Sequence, residues 1–227
     1  MTTPLTTVPA EGAVRGGIVV LQEAFGITDH IVDVCNRFAA AGWTAVAPHL
    51  FHRKGDPILA YDDLETALRL VHSLVGTELD EDVDAALASL ASAGIEAQNT
   101  AVVGYCMGGS VAFHTAVRRS LGAAITYYGG GITNGRFGYP AMVDEVAELQ
   151  TPWLGHFGDI DKGIPVDQVE ALRAATDSTR TDTAIDRYAT ADHGFNCNDR
   201  PAVFNEAASA LAWTRTFDWM EGHRPQQ

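Results

Sequence analysis

The side chains best equipped for covalent chemistry in this chain sit in the run Val102-Val103-Gly104-Tyr105-Cys106-Met107-Gly108-Gly109. Here a G-x-C-x-G pattern ends an apolar, strand-like stretch and opens a helix-like one, the context of a tight turn that lifts a nucleophile above a sheet. Such a turn strains the backbone of its central residue, and small neighbours at Gly104 and Gly108 leave it room. At the mouth of the following helix Cys106 also feels unpaired N–H groups and the positive end of the helix dipole, both of which favour thiolate over thiol. The plain alternative is a small buried cysteine beside a glycine-rich strand-to-helix turn, common in α/β proteins. What separates the two is whether the rest of the chain supplies a base and an acid.

Downstream, Gly158-Asp159-Ile160-Asp161-Lys162-Gly163-Ile164-Pro165 follows a strand-like run and carries two carboxylates from which one would orient an imidazole. After the next such run comes Ala191-Asp192-His193-Gly194-Phe195. Of eight histidines, His193 alone combines a glycine-flanked loop with a position after the acid, which suits a mobile base. Nucleophile, acid, then histidine is the chain order of α/β-hydrolases. The residue pattern leaves Asp159 and Asp161 both open, each otherwise an ordinary turn residue, and Asp192 reads as a cap or turn. His49, His52, His72, His114 and His156 have no second His or Cys at metal spacing; they are assigned structural roles, and no metal is expected. Cys35 lies on the apolar face of a helix and reads as core, while Cys197 falls four residues after His193 in the same candidate loop.

Positioning these groups requires a sheet with helices between its strands. Apolar, β-rich runs recur at 18–21, 44–47, 100–103, 123–128, 153–157 and 183–188, with helix-length segments between most of them, which indicates a mostly parallel sheet. The spacing of Ile31, Val34, Cys35 and Phe38 predicts a helix over 29–41, stopped by Gly42. Further helices are expected over 61–75, over 80–93 with Val83, Leu87 and Leu90 inward, and over 201–220, started by Pro201. The Gly- and Pro-rich loops 49–57 and 129–140 are expected to border a pocket.

The chain's 227 residues, 46% hydrophobic, suit one well-buried core, so a single domain over 1–227 is expected. Residues 1–20 lack a basic start followed by an apolar run, and no apolar stretch approaches the roughly 18 to 20 residues that span a bilayer, so a cytoplasmic protein without membrane attachment is expected. Fifteen basic against twenty-nine acidic residues give a net charge of −14, which argues against nucleic acid as a partner. Three cysteines without short spacing suggest neither a disulfide framework nor a zinc site.

Taken together, Gln22-Glu23-Ala24-Phe25-Gly26, Ala47-Pro48-His49-Leu50-Phe51, the Cys106 turn, the segment from Asp161 to Pro165 and His193-Gly194-Phe195 resemble the dienelactone hydrolase family over nearly the whole chain. The resemblance implies a single-domain α/β-hydrolase fold, a mostly parallel central sheet flanked by helices, that opens small lactones or esters through a thioester acyl-enzyme. Cys106 is then the nucleophile and His193 the base. The family places the acid four residues before a proline, which selects Asp161 over Asp159. Its additional glutamate maps to Glu23, where it contacts the resting thiol and helps form the thiolate when substrate arrives; the plain alternative is a solvated loop carboxylate. The oxyanion hole is expected from the backbone N–H of Met107 and, by analogy, of Ala24.

Two departures stand out. The family often has aspartate at the position of His49, and its characterised members carry a carboxylate-holding arginine at the position of Cys197. Neutral lactones or short esters are therefore expected to serve at least as well as dienelactone, unless Arg53, Arg136 or Arg200 takes that arginine's place. No organic cofactor is expected. The partner is a small molecule, and the chain is expected to be a monomer or small homo-oligomer. A different class of function is a DJ-1-like redox-sensing or carbonyl-scavenging thiol protein, which also places a glutamate beside a turn cysteine but needs no later acid and histidine. A binding module on an inactive scaffold is the third reading.

Overall fold

The computed structural model describes residues 2–225. Its centre is a seven-stranded sheet in the order β1-β3-β2-β4-β5-β6-β7, formed by β1 (Leu5–Val8), β2 (Gly16–Leu21), β3 (Trp43–Pro48), β4 (Thr100–Tyr105), β5 (Ala123–Tyr127), β6 (Trp153–Gly158) and β7 (Thr183–Tyr188). Only β1 runs antiparallel, with Leu5 opposite Pro48 and Val8 opposite Ala45. The inner strands β2, β4, β5 and β6 are buried along their whole length, as parallel strands covered on both faces must be.

The covering helices are α1 (Asp29–Ala40), α2 (Leu64–His72), α3 (Gly76–Ser92), α4 (Met107–Arg118), the short α5 (Met142–Glu145), α6 (Val166–Thr176) and α7 (Glu206–Gly222). On one face, Phe38 of α1 packs on Trp213 and Phe217 of α7, with ring centroids 5.0 and 5.5 Å apart. α3 and α4 pack together on the other face, giving three layers around a continuous apolar core. α1 buries Ile31, Val34, Cys35 and Phe38 as their spacing dictates, and Gly42 takes φ 89° just past its end.

Three expectations shift. The last helix starts at Glu206, not Pro201, because Asn205 is extended and its side chain accepts the Ala208 N–H at 3.0 Å, while 200–204 close a separate turn on the Arg200 carbonyl. The second helix is shorter than 61–75, since Asp63 caps it through the Thr66 N–H at 3.2 Å. The third begins at Gly76 rather than residue 80, and turns Val83, Ala86 and Leu90 inward with Leu87 only half-buried. Strand β1 is an addition: four residues with two threonines carry too little apolar signal to register, and pairing with β3 makes them a strand.

Because β2, β4, β5, β6 and β7 are parallel, their carboxyl ends lie along one edge. The loops that follow them, holding Glu23, Cys106, Tyr128, Asp161 and His193, converge there.

Candidate active site

Between β4 and α4 stands one residue, Cys106, at φ 54° and ψ −116°. Side chains avoid that conformation at a cost of about 1 to 3 kcal/mol, so it persists only where the surroundings impose it. The Cys106 N–H donates to the Tyr127 carbonyl at 3.0 Å, and its carbonyl accepts from the Gly109 N–H at 3.0 Å. A β-carbon on Gly104 would overlap the Gly108 carbonyl, and one on Gly108 would stand 2.5 and 2.6 Å from the carbonyl oxygens of Leu21 and Gln22. Both glycines are therefore fixed by backbone packed against backbone.

His193 lies in the loop after β7, and its Nδ1 is 2.7 Å from Oδ2 of Asp161 in the turn after β6. Asp161 is 4% exposed, and its other oxygen accepts the Gly163 N–H at 2.7 Å, so both sides of the carboxylate are held. Asp159, two residues earlier, turns the other way and takes a two-pronged bond from Arg187 at 2.7 and 2.9 Å. Asp192 accepts the His193 backbone N–H at 2.7 Å, the turn role expected of it. The geometry thus joins His193 to Asp161 and gives Asp159 a different partner.

Cys106 and His193 line one cavity. Burial opposes ionisation of the thiol, but the charge and hydrogen bonding of His193 outweigh it and hold Cys106 below the ordinary thiol range; Glu23 opposes and Arg136 assists. Burial likewise favours a neutral imidazole, yet the charge of Cys106 and the hydrogen bond to Asp161 keep His193 well above its usual range. Each group thus favours the charged form of the other. Cys35 and Cys197 are pushed by burial up to about 12 and about 11, so neither competes as a nucleophile.

Glu23 is 2% exposed, so it is no solvated loop residue. Its Oε1 accepts from the Tyr128 hydroxyl at 3.0 Å, and among the described residues its buried Oε2 has no hydrogen-bond partner. The loop carrying it is tied down by Gln22, whose side-chain oxygen accepts the Leu50 N–H at 3.0 Å. Ala24 lines the cavity, and Met107 is the first residue of α4, where an N–H has no partner within its own helix. Neither amide donates to another backbone group among the described residues.

The cavity measures about 450 Å³ and is bordered by Ala24, Phe25, Leu64, Leu68 and Arg200 as well as by the polar groups. Of the three arginines considered for a carboxylate, Arg53 is engaged by Asp82 and Glu81 at 2.7 and 2.9 Å. Arg136 lies over Gly130 and Gly131 and the Phe137 ring. Arg200 alone lines the cavity, its guanidinium 5.4 Å from the Phe25 ring centre and 5.8 Å from that of Tyr61. Cys197 is buried and donates its S–H to the Tyr61 hydroxyl at 3.5 Å.

Loop 49–57 holds none of the cavity's lining residues, contrary to expectation, and its His49 is instead engaged by Thr6 and Asp56 at 2.8 and 2.6 Å. His52 pairs with Asp82, His114 with Glu145, and His156 with Tyr188 and Thr216. Among the described residues no group of three or more His, Cys, Asp or Glu could hold a metal ion, and no helix is long and apolar enough to cross a membrane. Tyr128, Leu64 and Leu68 escape sequence reasoning. The one local sign of Tyr128 is its place between a strand and three glycines.

The dienelactone hydrolase family profile matches residues 5–224. A Yersinia pestis protein named "Putative carboxymethylenebutenolidase" is 33% identical over 212 residues, covering 91% of this chain and 78% of its own. A Salmonella typhimurium protein of the same name is 33% identical over 205 residues, covering 89% of this chain and 75% of its own. The crystal structure of a "Putative Dienelactone Hydrolase" from Klebsiella pneumoniae superposes with a TM-score of 0.84 at 30% identity, covering 96% of this chain and 92% of that one. These likenesses support the hydrolase expectation and lend none to the redox-sensing alternative.

Proposed function

The chain belongs to the dienelactone hydrolase family and is a hydrolase of that family, and from this premise we propose that it cleaves small lactones or esters through a Cys106 thioester, with His193 and Asp161 completing a triad. The observation that carries the reading is the 2.7 Å bond from His193 to Asp161, made at the edge of the cavity that Cys106 lines from its strained turn.

The Cys106 thiolate attacks the carbonyl carbon, and the carbonyl oxygen takes the negative charge, received by the N–H groups of Met107 and Ala24. As the C–O bond to the alcohol breaks, the His193 imidazolium gives its proton to the departing oxygen. In a lactone the alcohol stays tethered to the acyl group. Neutral His193 then takes a proton from water, whose oxygen attacks the thioester carbon. The carboxylic acid departs, and thiolate and imidazolium are restored. Asp161 holds the ring's tautomer and stabilises its cationic form throughout. Glu23, whose charge opposes ionisation of Cys106 across the cavity, holds the resting sulfur closer to the thiol and so limits its oxidation.

The test is mass spectrometry of protein mixed with an aryl ester. An acyl adduct on Cys106, together with loss of turnover in Cys106→Ala, is the expected result. Turnover retained by that variant would overturn the assignment.

A further inference from the structure

Leu64 and Leu68 line the cavity that holds Cys106, yet they are 51% and 45% exposed. The pattern of α2 explains this. Ala67 and Val71 bury one half of its apolar stripe in the core, and Leu64 and Leu68, one turn apart, continue that stripe onto the cavity wall. Glu65, Arg69 and His72 are exposed to solvent. A single half-exposed leucine on a surface needs no explanation, but two stacked beside a nucleophile do. Ala24 and Phe25 extend the same apolar lining, and Arg200 presents a guanidinium already stacked on aromatic rings.

We infer that Leu64 and Leu68 are specificity-determining residues, seating an apolar chain of the ester or lactone. The inference rests on the hydrolase reading above and names its substrate class. A chain laid along this wall completes the burial that α2 begins, and each methylene removed from water is worth about a two- to fourfold gain in kcat/KM.

Two substrate series test it, p-nitrophenyl esters from acetate to hexanoate and butyrate esters from methyl to hexyl; the series that responds tells whether the chain lies on the acyl or the alcohol side. In the wild type one series is expected to rise by about two- to fourfold per methylene, and the rise is expected to flatten in Leu64→Asn with Leu68→Asn. Leu68→Met is expected to keep it. Leu211→Asn, an equally exposed leucine on α7 away from the cavity, serves as control. A flat profile in both wild-type series, or a slope that survives the double substitution, overturns the inference while leaving the hydrolase reading intact. A double variant that loses a dimer by light scattering but keeps the slope assigns the wall to self-association and also overturns it. Absence of any Cys106-dependent acetate turnover overturns the hydrolase reading and this inference with it.

Discussion

The Tyr128 hydroxyl donates to Oε1 of Glu23 at 3.0 Å, joining residues 105 positions apart across the end of the sheet. Tyr128 itself stands at φ 40°, a left-handed conformation just past β5, and its ring lies 5.1 Å from that of His193. One tyrosine therefore touches both the extra carboxylate and the histidine. It holds one oxygen of Glu23 and leaves the other buried without a partner.

Removing the hydroxyl tests this brace. Tyr128→Phe is expected to lower stability by about 1 to 3 kcal/mol, because a buried carboxylate then loses its hydrogen bond. Glu23→Gln removes the negative charge that opposes thiolate formation, so iodoacetamide labelling of Cys106 near neutral pH is expected to quicken. Unchanged labelling and turnover would return Glu23 to a purely structural role.

The two aspartates after β6 are expected to separate cleanly. Asp161→Asn is expected to cut kcat by several orders of magnitude, by analogy with triads that lose their tautomer-fixing acid. Asp159→Asn weakens a partly exposed pair with Arg187, a loss of about 0 to 1 kcal/mol in stability, and leaves turnover nearly intact. Steady-state kinetics with thermal melts read both. The reverse order of damage would transfer the acid's role to Asp159.

The coupling of Cys106 to His193 is expected to set the pH profile of kcat/KM. Cys106 is depressed below the ordinary thiol range, so activity is expected to rise on the acid side before a free thiol would ionise. His193 is raised, so the imidazolium that protonates the leaving group survives above its ordinary range and activity falls only as pH passes the raised value. Asp161 contributes to that raising, and Asp161→Asn is expected to shift the alkaline limb to lower pH. An alkaline limb that stays in place would exclude His193 as its source.

A second histidine governs acid stability. His156 is wholly buried between the Tyr188 hydroxyl and Thr216, and burial lowers it from about 6.5 to about 3. The unfolded chain binds this proton first, so its contribution is complete above pH 6.5 and declines as pH falls towards 3, at about 1.4 kcal/mol per pH unit. Urea melts between these limits are expected to show a shallower decline in His156→Gln, despite its lower stability at pH 7. An unaltered slope would show that carboxylates alone account for acid unfolding.

What could be read from sequence follows the range over which each rule acts. The turn at Cys106 is legible because its glycines are demanded by backbone within a few residues. The inner strands and α1 are legible because burial on two faces, or on one stripe, leaves a periodic trace. Asp159 and Asp161 are indistinguishable locally, since what separates them is Arg187 of β7 on one side and His193 on the other. Tyr128 acquires its role from Glu23 in the loop after β2, and β1 exists because β3 offers it an edge. The wall formed by Leu64 and Leu68 is hidden for the opposite reason: the stripe is plain, but nothing in it tells which half faces the core.

Helix α2 owes its start to one capping aspartate and its anchorage to Ala67 and Val71, and it contributes nothing to the sheet. The Cys106 turn, by contrast, is locked by main-chain atoms from β2, β4 and β5. Mutational drift is therefore expected to meet very different resistance at the two places: leucines on the cavity side of α2 should be exchangeable one at a time in a lineage that keeps its reaction, whereas a side chain at Gly104 or Gly108 collides with main chain and is expected to disrupt the turn. Descendants of this scaffold should accordingly diverge in what they accept long before they diverge in how they cut it, and a directed-evolution library confined to 64 and 68 is the shortest route to a changed substrate range.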